Sequence, residues 1–256
     1  MSAASTLNTF RLTVAYDGTA YAGWQVQPDA TTVQGVLERA AEQLNGERSR
    51  ILGAGRTDAG VHARAQVARF RTARNIAADR VPHALNAFLP EDVVVVAADL
   101  VSENFHPIGD ARAKHYRYTF RVAAHADPFS ARYVLRVKGP VDVAAMRRAA
   151  RHLVGRHDFA AFEKSGSPRE DSVRTLSRLD VEANDEYIHV DLVANGFLYG
   201  MARNLAGTLL RAGRGELEPD AVPDVFSKEK RLGEVSRAGP CLAARGLCLM
   251  SVAYEI

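Results

Sequence analysis

One carboxylate set in a glycine-rich bend is the feature of this chain best suited to chemistry. It is Asp58, within Gly53-Ala54-Gly55-Arg56-Thr57-Asp58-Ala59-Gly60-Val61-His62-Ala63. Three glycines fall within eight residues, and an arginine stands two places before the acid. Glycine permits positive φ and close approach by a partner, so the run reads as a bent loop presenting Asp58. A carboxylate held this way serves as nucleophile or general base. The same residue types also build ordinary surface turns, so spacing alone leaves both readings open. Two phosphate-loop readings are excluded. Gly55 and Gly60 have Walker A spacing, but Val61-His62 replaces the required Lys-Ser/Thr. A dinucleotide fingerprint starting at Gly53 and Gly55 would place Asp58 at its third glycine, where a carboxylate repels pyrophosphate.

Further residue blocks extend the pattern in order along nearly the whole chain. They are Ala15-Tyr16-Asp17-Gly18, Gly23-Trp24-Gln25, Thr32-Val33-Gln34-Gly35, Leu85-Asn86, Phe105-His106, Tyr116-Arg117-Tyr118, Met201-Ala202-Arg203-Asn204 and Gly246-Leu247. With the Gly-Arg-Thr-Asp block, which is highly specific, they resemble the tRNA pseudouridine synthase A (TruA) family. The resemblance implies isomerisation of uridine to pseudouridine at positions 38, 39 and 40 of the tRNA anticodon arm. That reaction breaks the N-glycosidic bond, turns the base and rejoins it through carbon 5. It implies no redox cofactor, metal or nucleotide, and a homodimer whose clefts each receive a tRNA.

Five site residues follow from the resemblance. Asp58 acts at the sugar, either by covalent addition or by removing a sugar proton. Tyr116 stacks on the uracil with its hydroxyl near the proton lost from carbon 5; read from its strand alone, it is a core residue. Arg203, in the middle of an expected helix, pairs with Asp58 and keeps it ionised. Arg56 occupies the place of the flipped nucleotide or contacts phosphate, with a structural salt bridge as the rival reading. Leu247 forms part of the apolar floor beneath the base. The chain departs from the family at Phe105-His106-Pro107-Ile108-Gly109, where the usual Phe-His-Ala-Arg-Phe would supply one more RNA contact. The rival to catalysis is an RNA-binding or chaperone protein of the same fold, in which Asp58 would be dispensable.

The elements around these residues follow from periodicity. Phe10, Leu12, Val14 and Tyr16 alternate as a half-buried strand. Thr31 or Thr32 caps a helix carrying Val33, Val36, Leu37, Ala40, Ala41 and Leu44, with Gln34 placed for a capping box and Gly46 as the stop. A short strand at residues 50–52, a strand from Gln66 to Arg71, a helix at 80–88 and a strand at Val93 to Ala98 complete β-α-β-β-α-β. The second half repeats that order. It has a strand around Tyr116, a helix from Asp142 to Gly155, strands near 173–181 and 187–193, a helix from Phe197 to about Arg211 and a last strand at 247–254. Its stretch at 166–172 is expected to be a mobile loop. The expected fold is therefore α+β: two ferredoxin-like halves, 1–110 and 111–256, in a pseudo-symmetric arrangement with a central mainly antiparallel sheet and an active-site cleft.

Composition limits the remaining alternatives. The chain has 256 residues, 47% hydrophobic and 25% charged, as in a globular protein with a large core. Its start lacks the basic and apolar pattern of a signal peptide, and no apolar run is long enough to span a bilayer. Cys241 and Cys248 form no C-x-x-C pair, which fits a reduced, cytoplasmic setting without zinc. Net charge is only +3, yet seven Lys/Arg face one acid between Ala111 and Lys138. Arg64, Arg69, Arg71, Arg74 and Arg80 form a second basic run. Segregated positive charge of this kind suits a polyanion, unless acids elsewhere neutralise it in space.

Overall fold

The structure is a computed structural model that describes residues 7–164, 171–226 and 238–254. Most of the polar stretch at 166–172, expected to be a loop, lies outside the described residues. The protein is mixed α+β with mostly antiparallel strand pairing, and it separates into two compact units. One comprises Met1–Arg112 with Leu249–Ile256, the other Ala113–Cys248.

The first unit begins with β1 (Asn8–Tyr16), whose alternating Phe10, Leu12, Val14 and Tyr16 are buried. Next comes α1 (Val33–Asn45), whose Val33, Val36, Leu37, Ala40 and Ala41 are buried. Thr32 caps it by accepting from Gly35 N, and Gly46 ends it in the left-handed region at φ 81°. Gln34 closes no capping box. It is buried, accepts from Val26 N and donates to Ile51 O and Glu38 Oε1, tying the loops on either side of the helix. The chain continues through β2 (Leu52–Gly53), β3 (His62–Thr72), α2 (Val81–Asn86) and β4 (Val93–Val101). β1 pairs antiparallel with both β3 and β4, placing Phe10 opposite Phe70 with ring centroids 6.3 Å apart. Each such buried aromatic contributes roughly 1.5–3 kcal/mol. β3 starts four residues earlier than its apolar pattern suggested, directly after the Asp58 loop, because His62 and Ala63 are also buried.

In the second unit, β5 (Ala113–Val122) buries Tyr116, Tyr118 and Phe120 on one face. It pairs parallel with the short β6 (Leu135–Val137) and antiparallel with β9 (Tyr187–Ala194). α3 (Val143–Arg151) is capped by Asp142, which accepts from Ala145 N. It ends before Gly155, because Gly155–Asp158 forms β7 and pairs with β8 (Val173–Asn184). β6 and β7 therefore add to the strands expected here. β8 also pairs antiparallel with β9. α4 (Met201–Gly213) starts four residues later than expected, because Gly200 takes the left-handed conformation at φ 72° and breaks the helix there. The last strand, β10 (Leu247–Ala253), belongs from Leu249 onward to the first unit, where it lies beside β3.

Candidate active site

The loop between β2 and β3 is anchored on both sides of Asp58. Before the acid, Gln66 Nε2 donates to Gly55 O at 2.8 Å, and Trp24 N donates to Thr57 O at 3.0 Å. The buried Thr57 hydroxyl also bonds the Tyr16 hydroxyl at 2.9 Å. After the acid, Val61 N donates back to Asp58 O at 3.1 Å, and Gly60 N reaches Tyr21 O at 3.3 Å with φ 77°. His62, buried at the loop exit, accepts from Gly18 N through Nδ1 at 3.1 Å. The scaffold approaches this loop closely enough that side chains are excluded. A Cβ on Gly53 would stand 2.5 Å from the indole of Trp24, and one on Gly23 would stand 2.6 Å from Thr57 O. Asp58 is thus half-buried on a backbone with little room to move, while Arg56 is exposed.

The remaining predicted residues belong to the second unit. Tyr116, 7% exposed, meets Phe197 edge-on at 4.9 Å. Leu247 is buried directly after Gly246. Arg203 is not mid-helix but in the first turn of α4, as the third residue after Gly200. It is half-buried rather than exposed, with Nε donating to Leu242 O at 2.6 Å. A guanidinium fixed through Nε has a defined plane, which suits pairing with a carboxylate. The structure therefore places Asp58 and Arg56 in the first unit, and Tyr116, Arg203 and Leu247 in the second.

The basic segments divide into two groups. Arg117 grips the buried Asp191 through two bonds of 2.9 Å, joined by His115. Burial alone would raise the Asp191 carboxyl, but the bonds from Arg117 and His115 outweigh it and hold it below the usual carboxylate range. Arg121 pairs with Glu186 at 2.7 Å, while Arg69 and Arg71 donate to the carbonyls of Phe105 and Glu103. These four arginines are structural ties. Arg64, Arg74, Arg80, Arg112, Arg132 and Lys138 remain exposed. The departing segment closes its own turn: His106 N donates to Asp110 Oδ2, Gly109 N to His106 Nδ1, and Ile108 is exposed.

Sequence reasoning missed the supports of the loop, Tyr16 with Thr57 and the Trp24–Gly53 contact. Their signal was the clustering of an aromatic or glycine in each block preceding the loop. It also missed Asp191, the single acid of β9, directly opposite Arg117. Among the described residues no group of three His, Cys, Asp or Glu could hold a metal ion, and no helix is long and apolar enough to cross a membrane.

The first unit thus carries a carboxylate on an anchored glycine loop, and the second carries an arginine pinned through Nε and a buried tyrosine. The family model described as tRNA pseudouridine synthase matches residues 12–108 and 149–255, and the chain belongs to that family of isomerases. It is 44% identical over 248 residues to the tRNA pseudouridine synthase A of Pelobacter propionicus, covering 97% of this chain and all of that one. It is 45% identical over 246 residues to that of Moorella thermoacetica, covering 95% and 98% of the two chains. The protein of the same name from Thermoanaerobacter sp. is 40% identical over 243 residues, covering 95% and 98%.

Proposed function

We propose that this protein converts uridine to pseudouridine at positions 38, 39 and 40 in the anticodon arm of tRNA. The observation that carries the reading is the half-buried Asp58, held in a loop tied to the scaffold on either side of it. A protein that only bound RNA would gain nothing from fixing a carboxylate against a polyanion. Asp58 supplies the group that acts at the sugar, and Arg203 is its counter-ion. Tyr116 faces the uracil and helps remove the proton from carbon 5, above an apolar floor that includes Leu247. Arg56 takes the place of the flipped nucleotide, and the exposed arginines and Lys138 follow the phosphates. Three targets in one arm call for recognition by shape and charge more than by base sequence. The working form is a cytoplasmic homodimer that needs neither metal nor nucleotide.

The experiment is incubation of unmodified tRNA with the purified protein, without added metal or nucleotide, followed by chemical mapping of pseudouridine. Wild type is expected to modify the anticodon arm, while Asp58→Asn binds the tRNA and leaves it unmodified. Binding without modification by both proteins would replace the synthase reading with that of an RNA-binding module.

A further inference from the structure

Between α4 and β10, residues 238–246 form a strap fastened to the rest of the second unit at three levels. At the first level, Gly239 N donates to the buried Thr208 hydroxyl at 2.7 Å. The strap backbone there lies directly on α4: a Cβ on Gly207 would be 2.2 Å from Pro240 O, and one on Gly239 would be 2.2 Å from Gly207 C. Only paired glycines permit that approach. The second level is the bond from Arg203 Nε to Leu242 O. At the third, the Tyr118 hydroxyl donates to Ala243 O at 2.8 Å. The ring of the same tyrosine lies against Gly246, where a Cβ would stand 2.6 Å from Cε1 and Cζ.

These ties link groups with no chemistry of their own to groups that have some. The carbonyl that orients the Arg203 guanidinium is carried by the strap, so its position depends on the Thr208 and Tyr118 bonds on either side. Leu247 follows the glycine that rests on Tyr118. Burial pushes the Tyr118 hydroxyl far above its ordinary pKa, so it remains a donor throughout the working pH range.

We propose that Tyr118 and Thr208 are positioning residues that act through the strap to set the Arg203 guanidinium and the Leu247 side chain for reaction. The proposal rests on the role given to Arg203 above. A displacement of about 1 Å in a reacting constellation costs on the order of 10²-fold in rate. Release of one of several ties moves the strap less, so a loss of roughly 10-fold is expected.

Single-turnover rates on unmodified tRNA, tRNA dissociation constants and melting temperatures would be compared for Tyr118→Phe, Thr208→Val, Arg203→Lys and the Tyr118→Phe/Arg203→Lys double variant. Tyr118→Phe keeps the ring under Gly246, and Thr208→Val keeps the volume. Each is expected to slow turnover roughly 10-fold with tRNA affinity unchanged within about two-fold. In the Arg203→Lys protein the further change Tyr118→Phe should cost clearly less than in the wild type, since the Arg203 geometry it protects is already lost and only the Leu247 share remains. Equal losses in the two backgrounds, or wild-type rates in both single variants, would overturn the positioning role. A wild-type rate for Arg203→Lys would overturn the reading of Arg203 itself, and the proposal with it.

Discussion

Gly18→Ala tests how tightly the Asp58 loop must be held. Gly18 is not in the left-handed region, so alanine meets no backbone strain there, only a collision. Its Cβ would stand 2.0 Å from Val61 O and 2.6 Å from Val61 C, whereas ordinary contact begins at 3.4 Å. The Val61 carbonyl must therefore retreat by about 1.4 Å. Val61 N is bonded to Asp58 O, so the shift passes directly to the residue that carries the carboxylate. Overpacking of this kind costs about 1–3 kcal/mol of stability. A displacement of about 1 Å at the reacting group costs on the order of 10²-fold in rate. Single-turnover pseudouridine formation, tRNA affinity and melting temperature would be measured together. Gly46→Ala serves as the control: it strains the backbone instead, at φ 81°, but a Cβ there meets nothing within 4 Å and should lower the melting temperature alone. A Gly18→Ala protein that melts earlier yet turns over at the wild-type rate would refute the claim that the loop's exact placement matters.

Three further outcomes are expected. Tyr16→Phe strands the buried Thr57 hydroxyl and should cost about 1–3 kcal/mol, whereas the Tyr16→Phe/Thr57→Val double variant should recover part of it in a urea-unfolding cycle. Trp24 is the only tryptophan and is 2% exposed against Gly53, so Gly53→Ala should displace the indole and shift its native-state emission to longer wavelength. Asp191→Asn should destabilise the fold by about 2 kcal/mol at neutral pH, through loss of charge-assisted bonds to Arg117. Because the folded carboxyl lies below its unfolded value, that stabilisation is complete above the unfolded pKa, about 3.9, and fades as pH falls through the folded one. Wild type and variant should then converge in acid-unfolding curves; a gap that persists at low pH would exclude the ion pair as its source.

The strands and helices that alternate or repeat cleanly were legible because burial on one face imposes a period that composition reveals. β1, α1 and the buried face of β5 follow directly from that rule. Elements set by backbone pairing alone left little trace: β6 and β7 are three and four residues long, too short for a period to register. The start of α4 was missed for a related reason. The apolar pattern runs on through Phe197 and Leu198, and only the left-handed turn at Gly200 breaks the helix and moves Arg203 to its first turn.

At the candidate site, the sequence by itself singled out the carboxylate proposed to react. Asp58 stands out through the resemblance carried by its Gly-Arg-Thr-Asp block, a local property of the chain, whereas glycine spacing alone left an ordinary turn open. What holds that group was decided only by tertiary structure. Tyr16 is 41 residues from the Thr57 it bonds, and Leu242 is 39 residues from the Arg203 it orients. Whether Arg117 serves a partner or an internal acid depended on a strand register that brings Asp191 opposite it. Contacts of this kind arise when distant segments pack, and side-chain type alone does not say which partner a hydroxyl, a carbonyl or a guanidinium will meet.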